Sequence, residues 1–124
     1  MKIKEAAVES GLSEDTIRFY EKSGMLPRTN RDKRGWRDFD PNALAWLKDL
    51  ERLRSTGMPL KEVKRFAILV HTQDANSSSA ASERLTLLES HAKRLAQRRR
   101  ALDECEAFLT RKISIYQEMK GVSQ

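Results

Sequence analysis

The stretch Ser13-Glu14-Asp15-Thr16-Ile17-Arg18-Phe19-Tyr20-Glu21, followed by Gly24-Met25-Leu26-Pro27, decides the fold. Ser13 can cap a helix by accepting a hydrogen bond from a free N–H in its first turn. Glu14 and Asp15 then stand where the positive end of the helix dipole favours carboxylates. Ile17 and Tyr20 are three apart and share one face, while Arg18 projects away from Ile17. Gly24 and Pro27 stop the helix. Upstream, residues 3–11 read as a second short helix. Two short helices joined by Gly11-Leu12-Ser13 make a helix-turn-helix, a unit whose second helix enters the major groove of DNA.

The charge distribution agrees. The chain of 124 residues has a formal net charge of +6, which suits an anionic polymer. Between positions 18 and 37 the basic residues Arg18, Lys22, Arg28, Arg31, Lys33, Arg34 and Arg37 face only Glu21 and Asp32. Cations placed near phosphates release counterions, which drives much of the affinity for DNA. A solvated basic loop is the plainer alternative.

Residues 28–39 are polar, with Thr29, Asn30, Asp32 and Gly35 as turn formers and Trp36 and Phe39 as apolar anchors. They read as a short β-hairpin, or wing, with Arg31, Lys33 and Arg34 at its tip. In its return strand Trp36 and Asp38 point to one face, Arg37 and Phe39 to the other. Trp36 is expected both to pack its ring and to offer its N–H to a phosphate.

Asp40-Pro41 opens the next helix, with Asp40 as cap and Pro41 at the first helical position. Leu44, Leu47, Leu50 and Leu53 form a slanted apolar stripe flanked by Trp46, and Gly57 closes the helix. Another helix starts at Met58-Pro59-Leu60-Lys61-Glu62, with Leu60, Val63, Phe66 or Ala67, and Val70 on one side. Its positive N-terminus, with Lys61 in the first turn, suits a phosphate; Lys61 as an ordinary surface lysine is the alternative.

Residues 74–82 are small and polar and read as a hinge, or as the frayed start of the next helix. From there Leu85, Leu88, Ala92, Leu95, Arg99, Leu102, Glu106, Leu109, Ile113 and Tyr116 alternate steps of three and four. This predicts one helix of about 35 residues, roughly 50 Å long, broken at Gly121. Such a seam needs a partner helix, so a homodimer through a coiled coil is expected, with Leu85, Leu88, Leu95, Leu102, Leu109, Ile113 and Tyr116 at the contact. In an antiparallel pair, Arg99 and Glu106 could meet across the dyad. Lys93, Arg94, Arg98, Arg99 and Arg100 read as a solvated face of this helix.

The expected architecture is therefore mainly α. A winged helix-turn-helix DNA-binding domain fills 1–73, a hinge 74–82, and a long dimerisation helix, paired as an antiparallel coiled coil, 83–120.

The N-terminal residues resemble the MerR family of bacterial transcriptional regulators. The resemblance rests on Gly11-Leu12-Ser13, Thr16-Ile17-Arg18-Phe19-Tyr20-Glu21, Gly24-Met25-Leu26, Arg31, Gly35-Trp36-Arg37-Asp38-Phe39 and Gly57-Met58-Pro59-Leu60-Lys61-Glu62, and covers about residues 1–70. The family usually has tyrosines in its wing motif; Trp36 and Phe39 stand here, and Phe39 has no hydroxyl for a phosphate. The resemblance implies a dimer that binds double-stranded promoter DNA whose −35 and −10 elements lie too far apart. It bends and undertwists that DNA, and so reaches RNA polymerase indirectly, through the promoter. Distortion costs a few kcal/mol, which phosphate contacts must offset. By matching motifs Arg18 would reach the major groove, and Tyr20, Arg37 and Lys61 would hold phosphates. With Thr16, Arg28, Arg31, Arg34 and Trp36 they complete the expected DNA-binding set.

The effector is not legible. Metal-responsive relatives carry cysteines at and after the end of the dimer helix, whereas here no cysteine follows Cys105. A thiolate metal site needs two or more soft ligands, so no metal and no cofactor are expected. Cys105 reads first as a buried small apolar residue and second as a thiol sensor of oxidants or electrophiles. No apolar run approaches the ~18 residues of a membrane span, and no secretory segment opens the chain. With a single cysteine, these bounds fit a soluble cytoplasmic protein without a disulfide framework. Two histidines, no glycine-rich phosphate loop and no nucleophile–base pair give an enzyme nothing to assemble. The rival readings are an effector-independent architectural or phage-type DNA-binding protein, and a pure coiled-coil adaptor.

Overall fold

A computed structural model describes residues 1–27 and 31–122, the last by its backbone alone. In these residues the helices run α1 (Ile3–Ser10), α2 (Glu14–Lys22), α3 (Pro41–Ser55), α4 (Leu60–His71) and α5 (Ser78–Val122).

The helix boundaries follow local chemistry. α1 ends at Gly11, whose N–H donates to the Ala7 carbonyl at 3.0 Å from a φ of +80°, a left-handed conformation that glycine adopts without a Cβ penalty. α2 starts as anticipated: the Thr16 N–H donates to Ser13 Oγ at 3.0 Å. α3 is capped by Asp40 Oδ1, which accepts from the Ala43 N–H at 2.7 Å with Pro41 in the first turn.

The chain divides into two compact units at Leu88, and the core of the first forms two adjoining clusters. Ala6 of α1, Ile17 of α2, Phe39, and Ala43 and Leu47 of α3 make one. Tyr20, Met25, Leu50, Met58, Val63 and Ala67 make the other, and Leu12 and Leu26 pack against both. The buried face of α3 is Ala43-Leu47-Leu50 rather than the expected Leu44-Leu47-Leu50-Leu53, because a four-then-three step follows the helix better than steps of three. On α4 the buried set is Val63, Ala67 and Leu69, and Val70 is only half-buried.

The wing departs from the expected hairpin. Among the described residues there is no strand, only an isolated antiparallel bridge between Arg31 and Arg37. Between them the chain turns on Asp32, whose carbonyl accepts from the Gly35 N–H at 2.9 Å. Its carboxylate Oδ1 accepts from the N–H groups of Arg34 at 2.9 Å and Trp36 at 3.0 Å. A side chain thus closes the turn where a longer ladder would otherwise hold it. The alternation of the return arm is as anticipated at Phe39, buried with its N–H on the Met1 carbonyl at 2.7 Å, and at Trp36, which is exposed.

Residues 74–82 are not all linker. α5 begins at Ser78 and is 45 residues long, and the first compact unit reaches Leu88. Ser77 Oγ accepts from the Ala80 N–H at 3.1 Å, so the serine-rich stretch serves as a helix start. Arg84 donates to the carbonyls of Leu69 at 2.9 Å and Ala75 at 2.8 Å, and Arg65 pairs with Glu83 across the α4–α5 turn.

From Glu89 the second unit is helical through Val122, and Gly121 does not break it. Leu102, Leu109, Ile113 and Tyr116 are exposed in the single chain, as are Leu85 and Leu88 of the first unit; Leu95 is half-buried. Phe108, Ile115 and Met119 form a second exposed apolar row about a third of a turn from the seam, which the heptad count passed over. Cys105 is exposed in the single chain, as are the seam residues on either side of it. Among the described residues no helix is long and apolar enough to cross a membrane, and no three His, Cys, Asp or Glu residues gather where they could hold a metal ion.

Candidate nucleic-acid interface

α2 and the wing enclose a groove of about 750 Å³ whose lining includes Lys2, Arg18, Lys22, Arg31 and Trp36. Burial of Ile17 and Tyr20 turns the opposite face of α2 outward, and that face carries Arg18 and Lys22. Arg18 is half exposed and lies 3.3 Å from Glu14 and 3.2 Å from Asp15. Exposed pairs of this kind are worth little, so the guanidinium remains available to a stronger partner. Thr16 lies in the first turn, its hydroxyl 2.8 Å from that of Ser13.

The wing presents Arg31, Lys33, Arg34 and Trp36 to solvent. Trp36 is 57% exposed, with the Arg34 guanidinium 5.1 Å from its ring centroid, so it does not anchor the wing. Of the two expected apolar anchors, Phe39 is the buried one. A flat ring backed by a cation on an exposed arm suits contact with a sugar-phosphate surface. Lys61 is exposed in the first turn of α4, where the helix dipole is positive. Arg28 lies outside the described residues.

Two expected phosphate ligands are placed differently. Tyr20 is 3% exposed and belongs to the core, and burial pushes its hydroxyl pKa up. The side chain of Arg37 is 11% exposed and turned inward: one guanidinium nitrogen lies 2.8 Å from Glu21 Oε1 and another donates to the Pro27 carbonyl at 2.6 Å. Arg37 is a strut, and Arg31, also bonded to Glu21 at 3.1 Å, stands beside it. Asp32 was legible as a turn former, but neither its bond to Lys2 nor the pairing of Glu21 with two arginines was read from the sequence. The Asp-x-x-Gly turn at 32–35 was a usable signal for Asp32, whereas nothing in the spacing pairs Glu21 with a residue sixteen positions on.

Lys2 pairs with Asp32, which ties the base of α1 to the wing turn. That hydrogen bond, followed by the N–H groups of Trp36 and Arg34, holds the Asp32 carboxyl below its usual range.

Comparison with known proteins matches this arrangement. The chain is 39% identical to an uncharacterised HTH-type transcriptional regulator of Haemophilus influenzae, over 94% of this chain and 84% of the relative. It is 32% identical to the HTH-type transcriptional regulator HmrR of Rhizobium leguminosarum, over 83% and 81%. A crystal structure of HiNmlR, described as a MerR-family regulator lacking the sensor domain and bound to promoter DNA, superposes with a TM-score of 0.81 at 35% identity, covering 99% of this chain and 94% of that one. The model of the MerR HTH family regulatory proteins matches residues 1–67, more than half of the sequence, and the chain belongs to that family of transcriptional regulators.

Proposed function

We propose that the chain acts as a homodimer on double-stranded promoter DNA in the cytoplasm, with α2 in the major groove and the wing and the start of α4 on the backbone. The observation that carries this is the outward face of α2, whose Arg18 and Lys22 line one groove with the wing's Arg31 and Trp36. The promoter-bound state of a relative with the same fold supports it. Within the family frame the dimer bends and undertwists a promoter with an over-long spacer, so that RNA polymerase reads both elements without touching the regulator. The test is binding of the full chain to its own promoter across a salt series, with bending read from the mobility of circularly permuted fragments. Steeply salt-dependent binding without bending would leave a DNA-binding protein and remove the distortion mechanism.

A second reading, promoter binding without an effector, is favoured by the likeness to a regulator described as lacking the sensor domain. The exposed Cys105 is the residue to set against it, since an accessible thiolate can react with oxidants or electrophiles. Promoter output under metals, oxidants and aldehydes decides: an effector-independent protein gives no change, and a thiol sensor gives a response that Cys105→Ser abolishes while operator binding stays normal.

A further inference from the structure

We propose that Glu21 is a positioning residue for DNA reading: one carboxylate on the recognition helix clamps the two arms of the wing. The inference deepens the DNA-binding reading above and rests on it. Glu21 Oε1 lies 3.1 Å from the Arg31 guanidinium and 2.8 Å from that of Arg37. These two arginines are the residues of the isolated bridge that closes the wing. Each is also tied to the backbone, Arg31 to the Gly35 carbonyl at 3.0 Å and Arg37 to the Pro27 carbonyl at 2.6 Å. The carboxylate is partly shielded, at 29% side-chain exposure, so its charge-assisted bonds act in a medium less screening than water.

A wing with a single bridge pair has no ladder to fix its angle to the rest of the domain. Glu21 supplies that constraint from the same helix that carries Arg18, three residues earlier. Lys2 ties the wing turn to α1, but Glu21 is the side chain that ties both arms to the helix carrying Arg18, and so sets the distance between a base contact from α2 and phosphate contacts from Arg34 or Trp36. A negative charge in a basic groove costs affinity for any polyanion. That cost is offset only if the carboxylate improves the geometry of the correct complex.

The two roles predict opposite signs. If Glu21 were only a solvated acid, Glu21→Gln would raise affinity for every DNA by removing repulsion. If it positions the wing, Glu21→Gln lowers affinity for the best duplex selected by the wild-type full-length chain from a randomised pool, and leaves or raises affinity for a scrambled duplex. Discrimination should fall about tenfold, the weight of one displaced bidentate base contact. Glu21→Asp keeps the charge but is one methylene too short to bring its oxygen to both arginines, so it should lose discrimination as well; wild-type discrimination in this variant overturns the proposal. Amide exchange in the free protein supplies a readout independent of DNA. The Asp32, Arg34 and Trp36 amides should exchange faster in Glu21→Gln while those of α1 and α3 are unchanged, and unaltered wing protection also overturns it. Should Glu21→Gln not fold, Arg31→Gln severs the same clamp from the exposed side; because Arg31 also lines the DNA groove, this variant is read by wing amide exchange alone, and unaltered wing protection overturns the proposal. Faster exchange in a protein whose wild type selects no duplex would condemn the DNA-binding reading rather than the clamp.

Discussion

At the scale of single residues, the domain separates cations that face solvent from cations committed to the fold. Arg18, Arg34 and Lys61 are exposed, whereas Arg37 is held by Glu21 and Pro27. Arg18→Ala should therefore relax sequence preference and cost about 1–3 kcal/mol on the operator, if the guanidinium takes a base edge through two bonds. Lys61→Ala should weaken specific and scrambled duplexes alike and reduce the salt slope by about one unit, as for a single lost phosphate contact. Binding isotherms of both variants on both duplexes over a salt series make the comparison. Equal losses on the two duplexes for Arg18→Ala would reduce Arg18 to a phosphate contact. For Arg37→Ala the structure changes the expectation: removing a strut disturbs the wing itself, so discrimination falls along with affinity.

At the scale of elements, the wing is the part held chiefly by side chains, and its order should depend on pH. The Asp32 carboxyl titrates below its usual 3.8 because Lys2 and the N–H groups of Trp36 and Arg34 bond its charged form. A carboxyl depressed in the folded state contributes stability above its unfolded pKa, and loses that contribution as pH falls through the folded value. Protection of the Arg34 and Trp36 amides should thus persist through pH 5 and disappear only below about pH 4. In Asp32→Ala, which has no side-chain acceptor for the Arg34 and Trp36 N–H groups, the wing should already exchange fast at neutral pH, with no acid transition left to see. Amide exchange against pH tests both points, and a protected wing in the variant would show that the bridge alone suffices. The helices were legible for a related reason. Ser13, Asp40 and Gly11 act within a turn of their own position, so their capping roles stand in the sequence. The wing was only half legible, since its arms are joined by Glu21 and Lys2 from other elements, and such pairing leaves no periodicity. The burial of the Tyr20 ring was legible in its spacing from Ile17.

At the scale of the whole molecule, the question is what the long helix is for. From Glu89 on, α5 leaves Leu102, Leu109, Ile113 and Tyr116 exposed in the single chain, and a contiguous apolar row of this kind marks an interaction surface. The alternating steps of three and four make a second copy of the same helix the fitting cover. Leu102 is 68% exposed and Leu109 48% exposed, and both lie beyond the first unit, whose core they do not enter. Leu102→Asp with Leu109→Asp should therefore spare the helix-turn-helix unit while placing four charges in the dimer seam. Sedimentation should find a monomer, and the helix of a lone chain should become easier to melt once its partner is gone. Operator affinity should then drop by on the order of 10²–10⁴, because two linked half-sites gain that much from effective concentration without any new contact. Binding to a duplex carrying one half-site should change little. A double variant that still sediments as a dimer would move the interface off this seam, with the row of Phe108, Ile115 and Met119 the next surface to charge. A monomer that keeps full operator affinity would sever dimerisation from DNA reading.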